Sequence, residues 1–278
     1  MTDFADWIGR RSESEDIVTG RLVDSFRAIF EPHLAPPPPG VAPPGIHWCL
    51  APAIVAMAEL GQDGHPARNR DLPPVPQPRR MWAGGRVEHI DPLRIGDRVR
   101  CASTIAGIAR KQGRSGELWF VAVDRDYLTE RGPAVRERHD IVYLEAPKGR
   151  AEGKGTAGEA PQRRRVDRSW TVLTSSTLLF RYSAISFNGH RIHYDFPYAV
   201  NVEGHDGLVV HAPIQATLLL NLACRDGTPP PHFTYRGVSP AIAGNDLMVC
   251  ADDEHGSFWI EGPTGRVSMI ASATRQPG

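Results

Sequence analysis

The 278-residue chain reads as an α+β protein built from two repeats, each a central helix wrapped by a curved antiparallel sheet. Three observations predict this. Each half holds one strongly apolar helical stretch opened by a proline. Each half then carries a Pro-x-x-x-Gly turn that leads into strand-like runs. The alternation of strand and helix that marks a parallel sheet is missing.

In the first half, Cys49 to Leu60 is the expected helix, with Pro52 near its start and Gly61 after its end. Proline-rich stretches surround it, at Pro36–Gly45 and across 61–80, and favour extended backbone. The turn Pro92-Leu93-Arg94-Ile95-Gly96 feeds runs at Val99 to Ile108, Leu118 to Val123 and His139 to Leu144, rich in β-branched and aromatic residues. In the second half, Pro213 opens the helix that runs to Cys224. The turn Pro240-Ala241-Ile242-Ala243-Gly244 feeds Met248 to Asp252, Ser257 to Ile260 and Arg266 to Ala273. The same order of signals twice implies an internal duplication. A helix apolar on nearly every side must be covered on nearly every side, and a curled sheet does that. Residues 147–165, rich in Gly, Pro and charge, have linker composition. They divide the chain into an N-terminal repeat, 1–146, and a C-terminal repeat, 166–278.

Lys+Arg 32 balances Asp+Glu 32, which argues against binding nucleic acid through overall basic charge. The 41 % hydrophobic content supports a core and excludes disorder throughout. No run approaches the roughly 20 apolar residues that span a bilayer, so no membrane partner is expected. The acidic start, Met1 to Trp7, is expected to be no secretory signal, since it lacks the basic and apolar regions of one. Cys49, Cys101, Cys224 and Cys250 form no CxxC pair and sit in apolar stretches, as buried reduced thiols do. A cytoplasmic protein is the expectation.

Chemistry concentrates in residues 180–199, where Asn188, His190, His193 and Asp195 fall within eight positions between apolar anchors. Four readings stand at this level. The residues form a solvated, capped turn. His190, His193 and Asp195 ligate a metal. His190 and Asp195 form the HxxxxD pair of an acyltransferase. Or they belong to a thioester hydratase.

The last reading comes from a resemblance. Ser186-Phe187-Asn188-Gly189-His190-Arg191-Ile192-His193-Tyr194-Asp195, followed by Tyr198-Ala199, resembles the signature of MaoC-like (R)-specific enoyl-thioester hydratases and dehydratases. The pattern is similar to that of their type 2 hydroxyacyl-thioester dehydratase and mesaconyl-C4-CoA hydratase branches. Asp63-Gly64-His65-Pro66 and Arg79 to Gly85 resemble the degenerate first repeat of those proteins. The resemblance implies a double hot dog fold, with a catalytic second repeat and a first repeat that helps form the acyl pocket. It places His193 at the catalytic histidine. Asn188 stands where the family's Asp is usual, as in some members, and Ala212 stands at the glycine whose backbone N–H serves as oxyanion donor. An amide accepts no proton at neutral pH, so His193 is the expected base, with a pKa near the working pH, and Asn188 the holder of the water. Asp195 and Tyr198 are expected to position the loop. Arg181, Arg191 and His211 are candidate substrate-binding residues.

The implied reaction is hydration of an enoyl thioester or its reverse, with no metal and no cofactor beyond the CoA the substrate carries. The implied substrate is a small branched dicarboxylyl-CoA such as mesaconyl-C4-CoA. Alternatives are a 3-hydroxyacyl-thioester dehydratase of fatty-acid or polyketide synthesis, and a non-catalytic acyl-thioester-binding protein. The partner is then an acyl-CoA or an acyl carrier protein thioester, and a homodimer fits either case.

Overall fold

Residues 4–113, 116–145 and 164–274 are described by a computed structural model. Within the first half, β1 (Arg11–Ile17) precedes α1 (Gly20–Phe30), and a long irregular segment leads to β2 (Arg79–His89). Then β3 (Arg98–Gly113), β4 (Gly116–Thr129) and β5 (Gly132–Leu144) follow as a meander. The second half runs β6 (Arg168–Leu173), α2 (Ser176–Ser186), α3 (Phe196–Asn201) and α4 (Ala212–Ala223). It closes with β7 (His232–Gly237), β8 (Asp246–Asp252), β9 (Ser257–Glu261) and β10 (Val267–Thr274).

All strands form one antiparallel sheet in the order β1-β3-β4-β5-β2-β7-β10-β9-β8-β6. Each half uses the same internal order, and the halves meet where β2 pairs with β7, from Gly84↔Arg236 to Glu88↔His232. The duplication is visible atom by atom at the two turns. Gly96 and Gly244 both adopt left-handed backbone, φ 97° and 92°, which glycine enters without strain. The Gly96 N–H bonds the carbonyl of Val18, just after β1, and the Gly244 N–H bonds that of Thr174, just after β6. The expected strands of both halves are present, each a little longer than its apolar run. The greater part of the expected linker, 147–163, lies outside the described residues.

Thr19 and Ser175 cap α1 and α2 by accepting the N–H groups of Leu22 and Leu178. The two helices pack together, with Phe30 edge-on to Tyr182. The central helix is α4, whose residues from Ile214 to Ala223 are all buried inside β7 to β10. All four cysteines are buried.

The first repeat departs from expectation. Cys49 to Leu60 is not a helix: a short 3-10 turn, Ile46–Cys49, gives way to extended chain and a second turn at Met57–Glu59. The cause lies in β1. The Ala51 N–H is taken by the Asp16 carboxylate at 2.9 Å, and the Ala51 carbonyl by the Ser14 hydroxyl at 3.2 Å. Ala51 itself is left-handed, φ 50°, and Pro52 has no N–H to give a helix. The first repeat therefore has a sheet with no full helix inside it, and Ile54 and Met57 project into solvent.

Candidate active site

A cavity of about 870 Å³ runs from the start of α4 across the inner face of the first repeat's sheet. Asn188, His193 and Ala212 line it together. These are the three residues the family resemblance singles out.

Their placement follows from local chemistry. Phe187 ends α2 in left-handed backbone, φ 51°, and turns the chain into the Asn188 loop. The Asn188 side-chain oxygen accepts the His190 N–H at 2.9 Å, which folds the loop on itself and leaves Nδ2 as a donor. His193 is clipped to the approach of α4 by two bonds. The Val209 N–H bonds the Ile192 carbonyl at 3.0 Å, and His193 Nδ1 lies 2.7 Å from the Val209 carbonyl. A carbonyl only accepts, so Nδ1 carries the proton and Nε2 keeps a lone pair. Burial lowers the His193 pKa to about 4, against the partial opposition of the Val209 bond, so the ring is neutral at physiological pH. This corrects the expectation of a pKa near the working pH. Ala212 is the first residue of α4, so its N–H has no acceptor within the helix, and Pro213 after it has no N–H at all.

His211 is fully buried and lies flat behind His193, with ring centroids 3.5 Å apart and planes at 17°. Its Nε2 meets the Ser183 hydroxyl at 2.9 Å. It backs the His193 ring and does not line the cavity, which sets it behind the site expected to bind substrate. Arg181 stands outside the cavity, exposed on α2, and donates to the Ala28 carbonyl of α1. Arg191 is also committed elsewhere. Its guanidinium pairs with Asp195 at 2.7 and 3.0 Å, donates to the Gln62 carbonyl and covers the Tyr198 ring at 4.1 Å. Neither arginine lines the cavity. Asp195 caps α3 by accepting the Tyr198 N–H.

These contacts also dispose of two alternatives. Asp195 is spent on Arg191 and on the cap, so it neither orients His190 as in an HxxxxD pair nor joins the two histidines around a metal. A different trio lies close instead: donor atoms of Asp63, His65 and His190 fall within 4.8 Å of one another, as around a small cation. The Asp63 carboxylate is already engaged there, with His65 Nδ1 at 3.0 Å and Arg80 Nε at 3.6 Å.

The first repeat supplies part of the site. The Arg191 N–H bonds the Asp63 carbonyl at 2.9 Å, docking the 61–66 loop on the loop of Asn188 and His193. His65 stacks obliquely on His190 at 4.1 Å. From the sequence, Asp63, His65 and Arg80 had stood out only as parts of a resembling segment. Trp82, Arg125 and His139 also line the cavity and went unassigned. A signal for Arg125 was present: it occupies a core-facing position in the alternating series Trp119, Val121, Val123, Arg125, Tyr127.

Comparison with known proteins places the chain in a family and a fold. The family model of hydroxyacyl-thioester dehydratase type 2 matches residues 45–243. A mesaconyl-C(4)-CoA hydratase of Chloroflexus aurantiacus is 37 % identical over 275 residues, 97 % of each chain. A MaoC-like dehydratase structure from Phytophthora capsici superposes with TM-score 0.66 over 99 % of both chains at 15 % identity. A Mycobacterium tuberculosis protein described as a double hotdog fold superposes with TM-score 0.55 over 96 % of both chains at 11 % identity. Two repeats, one complete and one stripped of its helix, thus make a double hot dog, and the chain belongs to the hydroxyacyl-thioester dehydratase type 2 family.

Proposed function

We propose that the protein adds water across the double bond of an enoyl thioester, and removes it in reverse, with a short dicarboxylyl-CoA of the mesaconyl-C4 type as substrate. The reading is carried by one observation: a neutral imidazole, locked with Nδ1–H on Val209, shares a cavity with the free N–H that begins a buried helix. The similarity to the Chloroflexus hydratase supports the choice of substrate.

Asn188 Nδ2 donates to the water oxygen and holds it beside His193. His193 Nε2 takes one water proton as the oxygen bonds the β-carbon. The π electrons move to the thioester oxygen, where the Ala212 N–H and the positive end of α4 stabilise the enolate, a contribution of about 3 kcal/mol for one such donor. His193 then returns its proton to the α-carbon, and the carbonyl re-forms. A histidinium with a pKa of about 4 gives up that proton readily. The net reaction is redox-neutral: the C=C π bond and one O–H bond of water give way to a C–O and a C–H bond, so we assign it no cofactor other than the substrate's own CoA. Arg191, Asp195 and Tyr198 act by fixing the loop.

The test is hydration of mesaconyl-C4-CoA, followed by loss of conjugated absorbance. His193→Ala should lower kcat by roughly 10²- to 10⁴-fold in folded protein. Asn188→Ala should lower it less, and Asn188→Asp should recover activity by restoring the family's usual residue. Near-normal turnover by His193→Ala would sink the assignment.

A further inference from the structure

The inner face of a hot dog sheet normally meets a helix. In the first repeat that helix is absent, and the face carries polar groups where packing alone calls for hydrocarbon. Arg125 on β4 sits between Val123 and Tyr127 on the inward-facing series. On β5, Glu137 and His139 share that face with Ile141 and Tyr143. Trp82 on β2 stands against His139, ring centroids 4.7 Å apart.

Glu137 is half accounted for. Its Oε1 accepts from Trp48 Nε1 at 2.8 Å and from the Tyr235 hydroxyl at 3.0 Å, while its Oε2 is buried without a partner. Three nitrogens on this face are unpaired as well. Arg125 Nε, His139 Nδ1 and Trp82 Nε1 are buried with no hydrogen-bond partner. Arg125 forms no ion pair within 4.0 Å among the described residues, although Glu137 faces it across the strands. All three residues line the same cavity as Asn188 and His193. Buried polar atoms in native proteins are nearly always paired, so three orphans on one cavity wall point to a missing acceptor. One of them belongs to a side chain that is always cationic, set in a chamber walled by Val123, Ile141, Trp82 and Ile105. A small anion is the group that satisfies all three.

We propose that Arg125, with Trp82 and His139, forms a subsite for a carboxylate on the acyl group, and that it selects dicarboxylyl thioesters over neutral ones. This rests on the reading of the cavity as an acyl-thioester site, and not on any step of the hydration. In a substrate of the mesaconyl-C4 type the free carboxylate is bonded to the β-carbon. The subsite would then also hold that carbon in place while water attacks it.

The test uses two saturated esters that cannot be hydrated, so that binding is read apart from turnover. Succinyl-CoA and butyryl-CoA differ at one end by a carboxylate. Isothermal titration into the full-length protein should show succinyl-CoA binding about 30-fold tighter or more, the scale of a desolvated charge pair. Arg125→Met should bring the ratio of the two affinities close to one. Trp82→Phe, which keeps an aromatic ring and removes the N–H, should reduce the ratio by roughly two- to tenfold and serves if Arg125→Met does not fold. Equal affinities in the wild type, or a ratio that survives Arg125→Met, would overturn the subsite and leave the thioester site intact. Failure of both esters to bind would remove both readings. Preference for succinyl-CoA without hydration of mesaconyl-C4-CoA would uphold the subsite and count against the proposed reaction.

Discussion

At Gly64 the absence of a side chain is what lets two repeats share one site. Its backbone is left-handed, φ 83°, and a Cβ placed there would overlap the carbonyl oxygen of Gly189, next to Asn188. Gly189 faces the same constraint from the other side, since its own Cβ would press on the Gly64 carbonyl. Two glycines from different halves thus allow backbone to touch backbone, and the Arg191 N–H then reaches the Asp63 carbonyl. Gly64→Ala should push the 61–66 loop away and move Asn188 with it. The expected result is a loss of kcat/KM for enoyl-CoA hydration of roughly 10- to 100-fold, the scale set by an ångström of misplacement at a reacting centre. Circular dichroism should remain native, since the loops lie outside the core around α4. Unchanged kinetics would show that the docking of the two loops is irrelevant to the chemistry.

Comparison of α4 with its missing counterpart separates what packing needs from what the pocket needs. Leu219 in α4 is fully buried and surrounded by β7 to β10. Leu219→Ala should cost about 2–5 kcal/mol, for the lost burial and the cavity left behind. Ile54, in the stretch expected to be helical, is 72 % exposed, and Ile54→Ser should change stability by no more than about 0.5 kcal/mol. Denaturant midpoints of the two variants check both figures, and a large loss from Ile54→Ser would mean that this segment is covered after all. The contrast also explains what the sequence could and could not tell. The strands were legible because residues such as Trp119, Val121 and Val123 alternate with half-exposed ones. The helix α4 was legible because its residues are apolar all round. Cys49 to Leu60 has the same apolar composition but a different fate, decided by Asp16 and Ser14 more than 30 positions away. No local pattern encodes that competition for Ala51. The loop that lines the cavity was legible through its spacing of Asn188 and His193. The place of His211 was not legible, because its stacking on the His193 ring is set by the tertiary fold.

Across the whole molecule, the polar interior that builds the cavity has a consequence for stability. His47, His89, His139, His190, His193 and His211 all have pKa values lowered chiefly by burial, to about 4 for His89 and His193 and about 3 for His190. Each is neutral in the native state near pH 7, where the unfolded chain's histidines, at about 6.5, are mostly neutral too, so folding is scarcely penalised there. As pH falls below that value the unfolded chain binds protons that the native state refuses. Stability therefore drops with pH, by up to about 1.4 kcal/mol per pH unit for each such group. Several such groups acting together make the loss steep, against a total stability of about 5–15 kcal/mol for a folded domain. Carboxylates held low by arginine partners, such as Asp97 beside Arg131 and Asp253 beside Arg168, lose their contribution only at lower pH, as they protonate. The histidines thus fail first. The protein should unfold cooperatively between about pH 6 and pH 4.5, before its ion pairs are titrated. Far-ultraviolet circular dichroism and tryptophan emission across that range should change together. A native signal persisting to pH 4 would mean that these rings are hydrated and protonate in place, and that the polar floor of the cavity is wetter than its packing indicates.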